Sequence, residues 1–74
     1  MDEKKLYNIV IANSFKQIRL LNGLKQKEVA NEIGIKTRCY CYYENSKREI
    51  PVYILIKLSQ YYKTTIDYIV NFKG

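Results

Sequence analysis

The sequence predicts an all-α domain of five helices, and three observations carry that prediction. Apolar residues recur at i, i+3, i+4 and i+7 in most of the chain, the period of a helix face rather than a strand. Glycine is scarce, and two of the three glycines, Gly23 and Gly34, directly follow apolar-periodic segments, as helix-ending glycines do. The remaining breaks are short and polar, at Asn45–Glu49 and at Lys63-Thr64-Thr65. With 74 residues there is room for a single domain, residues 1–74, with a small core.

The first helix is expected from Leu6 to Asn22, with Ile11, Phe15 and Ile18 on one inward face. Asp2 and Glu3 lie near its start, where acids suit the helix dipole, and Gly23 ends it. The second runs from Gln26 to about Ile33 on the stripe Val29, Ala30, Ile33, and stops at Gly34. The third runs from Thr37 to Glu44, with Tyr40 and Tyr43 inward beside Ile35. A fourth opens at Ile50-Pro51, proline being tolerated in a first turn, with Val52, Leu55, Leu58 and Tyr62 as its core stripe. Thr65 is the expected N-cap of a short fifth helix, Ile66 to Asn71.

The second and third segments, about residues 26–44, form helix, tight glycine-containing turn, helix. That is the helix-turn-helix arrangement, in which the second helix enters the major groove of DNA. On the helical period Lys36, Thr37, Arg38, Cys41 and Tyr42 point outward from the third segment. Thirteen Lys and Arg against seven Asp and Glu give a formal charge of +6, which suits a polyanionic partner.

Composition also excludes several classes. There is no histidine, the commonest general base, and no serine or cysteine is paired with a base that would activate it. No glycine-rich loop is present to cradle a nucleotide phosphate, so no enzyme activity, cofactor or small-molecule ligand is expected. Cys39 and Cys41 lie two apart on a predicted helix and point about 200° from each other, so they neither close a disulfide nor chelate one metal. No run of apolar residues is long enough for a membrane span, and the N-terminus lacks a signal-peptide layout. A cytoplasmic protein is expected.

The run Gly23-Leu24-Lys25-Gln26, Glu28-Val29-Ala30, Ile33-Gly34-Ile35, Tyr43-Glu44-Asn45 and Lys47-Arg48-Glu49-Ile50-Pro51 resembles the Cro/CI-type (Xre-type) helix-turn-helix of phage and bacterial repressors. The similarity continues through Leu55-Ile56-Lys57-Leu58, Tyr61-Tyr62 and Ile66-Asp67-Tyr68-Ile69, and so spans roughly Ile11 to Val70. The resemblance implies a compact five-helix, lambda-repressor-like DNA-binding domain that acts as a dimeric repressor on double-stranded DNA. It implies that Thr37, Arg38 and Tyr42 read bases, and that Asn45, Lys47 and Arg48 contact phosphate. It also implies a structural ion pair between Arg19 and Glu44. Gln26, at the mouth of the second helix, is an expected phosphate contact, and Lys36 joins this rim. Cys39 and Cys41 stand where relatives carry Ser or Thr, Tyr40 where they carry an aliphatic residue, and Ser46 where they often carry Gly.

The fifth segment holds more apolar groups than one short helix is expected to bury. Ile66, Ile69, Val70 and Phe72 are therefore the expected homodimer contact, with Tyr53 or Ile54 as an alternative patch. A protein-interaction module of antitoxin-like character, with DNA contact secondary, is the alternative function. The basic rim of Lys36, Arg38, Lys47 and Arg48 favours DNA over it.

Overall fold

The computed structural model describes residues 2–72, and its helices are α1 (Glu3–Leu21), α2 (Gln26–Glu32), α3 (Thr37–Glu44), α4 (Val52–Tyr61) and α5 (Ile66–Val70). No strand occurs among the described residues. α1 begins three residues before the expected start. The reason is local: Asp2 Oδ1 accepts the Lys4 N–H at 3.3 Å, and Glu3 lies in the first turn, so the N-terminal N–H groups have anionic partners. α1 and α2 each stop one residue early, with Asn22 and Ile33 as C-caps, and α5 likewise stops at Val70 with Asn71 as its C-cap. Thr65 caps α5, its hydroxyl oxygen accepting the Tyr68 N–H at 3.1 Å.

Four helices end the same way. Beyond the C-cap, the next residue takes a positive φ: Gly23 (66°), Gly34 (75°), Ser46 (59°) and Lys63 (55°). In each case two N–H groups fold back onto the helix's last carbonyls. After α3, for example, Ser46 N donates to Tyr43 O at 3.2 Å and Lys47 N to Tyr42 O at 2.8 Å. This Schellman pattern satisfies carbonyls that would otherwise be orphaned. Glycine adopts the conformation freely; Ser46 and Lys63 carry a side-chain penalty to reach it.

α1 packs against α3 and α5, and α2 against α3, around a core of Phe15, Ile18, Val29, Ala30, Tyr40, Ile54, Leu58 and Ile69. Ala30 leaves room for α3 to approach α2. Tyr40, large for its position, is fully buried with its ring centroid 5.8 Å from that of Phe15. Its hydroxyl and that of Tyr62 are buried without a well-formed hydrogen bond, and burial raises the pKa of both.

Three expectations are corrected here. The buried stripe of α4 is Ile54, Leu55 and Leu58, whereas Val52 is 67% exposed. Pro51 stands outside the helix as its N-cap, so Val52 begins the first turn on the solvent side and the inward phase passes through Ile54. Ile54 is thus core and offers no surface patch. Ile69 is 0% exposed and is likewise part of the protomer's own core, not of a dimer contact. Ser14, buried on α1, holds the segment after α5: its hydroxyl accepts the Phe72 N–H at 2.6 Å and donates to the Phe72 carbonyl at 3.3 Å. No described helix is long and apolar enough to cross a membrane.

Candidate nucleic-acid interface

α3 is an eight-residue helix with two unlike sides. Its back carries Tyr40, Tyr43 and Glu44, all buried. Its front carries Thr37 and Arg38, both exposed, with the N-cap Lys36 also exposed beside them. Cys41 and Tyr42, expected on the outward side, are half-buried, and Cys39 packs against the core. Both cysteines are free thiols.

The back is fixed by a buried polar cluster. Arg19, 8% exposed on α1, donates from Nε to Glu44 Oε2 at 2.6 Å and from Nη2 to Glu44 Oε1 at 3.1 Å. Its remaining terminal nitrogen, Nη1, donates to the Leu24 carbonyl at 2.8 Å. Gln26 Nε2 supplies a third hydrogen bond to the carboxylate, reaching Oε1 at 3.0 Å. One arginine fork therefore ties α1 to the end of α3 and to the connection leading into α2, and Gln26 adds α2 itself. Burial alone would raise the Glu44 carboxyl. The hydrogen bonds from Arg19 and Gln26, with the Arg19 charge, outweigh it and hold the group below the ordinary carboxylate range. The same bond to Glu44 raises Arg19, against the opposing effect of burial. Tyr43 is pushed up to about 12 by the neighbouring Cys39 thiol and by burial.

The turn between α2 and α3 is set by Gly34 and closed by Ile35 N donating to Ala30 O at 3.0 Å. From α4, Lys57 Nζ donates to the Ile33 carbonyl at 3.0 Å and so holds the C-terminal end of α2. These contacts settle where the front of α3 points without using any front side chain.

Past α3, Asn45, Lys47 and Arg48 lie along the loop, Lys47 and Arg48 exposed and Asn45 exposed at the helix end. Asn45 Nδ2 donates to Cys41 Sγ at 3.3 Å. The Arg48 guanidinium lies over the Tyr42 ring, 5.0 Å from its centroid. Asn8 Nδ2 on α1 donates to the Arg48 carbonyl at 3.3 Å, and Lys4 Nζ meets Glu49 Oε2 at 3.1 Å. The structure thus joins Tyr42 with Arg48, and Arg19 with Glu44. It leaves Lys36, Thr37, Arg38 and Lys47 without side-chain hydrogen bonds or ion pairs among the described residues. Gln26 sits at the mouth of α2, but its amide nitrogen is turned onto Glu44. Sequence reasoning missed that third bond, and it missed Asn8 and Lys4, whose partners lie some forty residues away with no local pattern to announce them.

Among the described residues no cluster of three or more His, Cys, Asp or Glu is arranged to hold a metal. Comparison with known proteins agrees with the geometry. A helix-turn-helix family model matches residues 15–69. The crystal structure of a transcriptional regulator from Listeria innocua superposes with a TM-score of 0.74 at 25% identity. That likeness covers 86% of this chain and 60% of the regulator, so the chain spans well under the regulator's full length. No match was found among curated proteins.

Proposed function

The chain belongs to the Cro/CI-type helix-turn-helix family, and from that membership we propose that it binds duplex DNA in a sequence-specific way and regulates transcription, most simply as a repressor occupying an operator. The observation that carries this reading is the unpartnered front of α3, Lys36, Thr37 and Arg38, on a helix whose back is locked. Arg38 offers a bidentate pair to guanine O6 and N7, and Thr37 a methyl for thymine, with Tyr42 at the edge of the same face. Lys36, Asn45, Lys47 and Arg48 supply contacts to phosphate, which set register without reading sequence. Gln26 joins them through the amide donor and oxygen that Glu44 does not engage. No catalytic step belongs to this reading.

A homodimer completes the proposal, because one short helix reads few bases. Support for it comes from apolar surface around α5. Ile66 is exposed, and Val70 and Phe72 are half-buried. Leu6, Tyr7, Val10 and Ile11 of α1 line an open groove of about 390 Å³ together with Val70 and Asn71. Tyr53 is the exposed member of the alternative patch. Two-fold pairing would set the recognition helices about 34 Å apart, one turn of B-DNA. Selection of bound duplexes from a random pool tests the reading. A palindromic motif is expected, with two protomers per duplex by sedimentation. Absence of any enriched motif contradicts DNA reading, one protomer per duplex contradicts the symmetric dimer, and unchanged stoichiometry in Val70→Asp moves the contact away from α5.

A further inference from the structure

We infer that Arg48 is a pre-set anchor for the DNA backbone and that Asn8 and Tyr42 are the positioning residues that hold it. The inference rests on the DNA-binding reading above. Arg48 follows α3 in an exposed loop, where a long cationic side chain would ordinarily be mobile. Here it is held at two separate points. Asn8 Nδ2 reaches from α1 to its carbonyl at 3.3 Å, fixing the main chain. The Tyr42 ring, back in α3, lies under its guanidinium at 5.0 Å from centroid to carbon, fixing the side chain. A guanidinium over a ring face keeps its N–H rim free, so the stack orients the fork and still leaves donors for a phosphate.

Two neighbouring features sharpen the assignment. Glu49, the acid next to Arg48, is paired with Lys4 at 3.1 Å, which directs its carboxylate toward α1. Among the described residues Lys47, the other loop cation, is held only through its main chain, by the 2.8 Å bond to the Tyr42 carbonyl. An anchor ordered before binding loses less freedom on binding than a mobile one. Arg48 should therefore contribute more than Lys47, although both carry one charge. Tyr42 gains a second role: with one ring face covered by Arg48, it acts on DNA largely through that arginine.

The experiment is a salt series of binding to a random-sequence duplex, for the full chain and its variants, with melting temperatures measured in parallel. Arg48→Ala is expected to lower the log–log salt slope by about one. Asn8→Ala and Tyr42→Leu are each expected to weaken binding about two- to tenfold in the wild-type background, and to add almost nothing in the Arg48→Ala background. Tyr42→Phe keeps the ring, so adding Arg48→Ala to it should cost as much affinity as adding it to wild type. Losses that add fully in the Arg48→Ala background overturn the inference, as does a Lys47→Ala loss equal to that of Arg48→Ala. If Tyr42→Leu does not fold, the Asn8→Ala pair decides the matter alone. Wild-type protein that binds no duplex at all overturns the DNA-binding reading instead, so the two failures are distinct.

Discussion

The two sides of α3 are built on opposite principles. On the back, Glu44 takes three hydrogen bonds, two from Arg19 and one from Gln26, while Tyr40 and Tyr43 are packed away from water. On the front, Lys36, Thr37 and Arg38 have no intramolecular side-chain hydrogen bond or ion pair among the described residues. The difference shows how a small domain presents a reading surface. On the proposed reading, orientation comes mainly from buried contacts behind α3, and the front side chains are left free to follow a DNA site.

The widest separation of the two sides comes from Glu44→Ala. It strands the buried Arg19 guanidinium and should cost about 3–5 kcal/mol of stability, with DNA affinity falling because α3 loses its seat. Thermal unfolding checks it, and a double-mutant cycle with Arg19→Ala should show strong non-additivity. The pair also has a pH signature. Because the folded carboxyl is held below its ordinary 4.5, its stabilisation is complete above that value and is lost as pH falls through the lowered folded pKa. Melting temperature measured from neutral pH down into this acid range should fall, and Glu44→Gln should lose much of that dependence.

Arg38→Ala acts on the other side. It should remove about 1–3 kcal/mol of discrimination at one base position, and leave stability within about 0.5 kcal/mol of wild type. Titrations on single-position operator variants report the first, and melting the second. A large stability loss would mean that the front also holds the helix.

Smaller effects separate the helix ends. Ser46→Gly and Lys63→Gly each remove a side-chain penalty at a positive φ and should stabilise by about 1 kcal/mol. Lys63→Gly lies beyond α4 and should leave DNA binding alone. Ser46→Gly loosens the segment that carries Lys47 and Arg48, so its gain in stability should come with slightly weaker binding to any duplex. Equal behaviour of the two variants on DNA would detach that segment from the interface.

The same contrast explains what could be read in the sequence. Helix number, the glycine turn and the span of α3 follow from apolar period and glycine position, both local signals. The end at Lys63 was legible only as a polar break, because a non-glycine residue at positive φ leaves no compositional mark, whereas Ser46 was marked by standing where relatives often carry Gly. The phase of α4 failed by its starting point: with Pro51 outside the helix, Ile54 turned inward and Val52 outward. Ile69 looked like surplus apolar surface until α1 and α4 closed over α5. For the site, period alone separated front from back. The Arg19–Glu44 pairing, across 25 residues, came only through family resemblance, and the Asn8 and Ser14 bonds, across 40 and 58 residues, had no sequence signal.

The most direct measurement repeats the random-pool selection with Arg38→Ala beside wild type, at equal folded fraction. If the front of α3 reads bases while the back only orients it, the wild-type motif should reappear with one position in each half-site relaxed and the others retained. An unchanged motif, or one weakened evenly at every position, would contradict that division and reduce Arg38 to a phosphate contact.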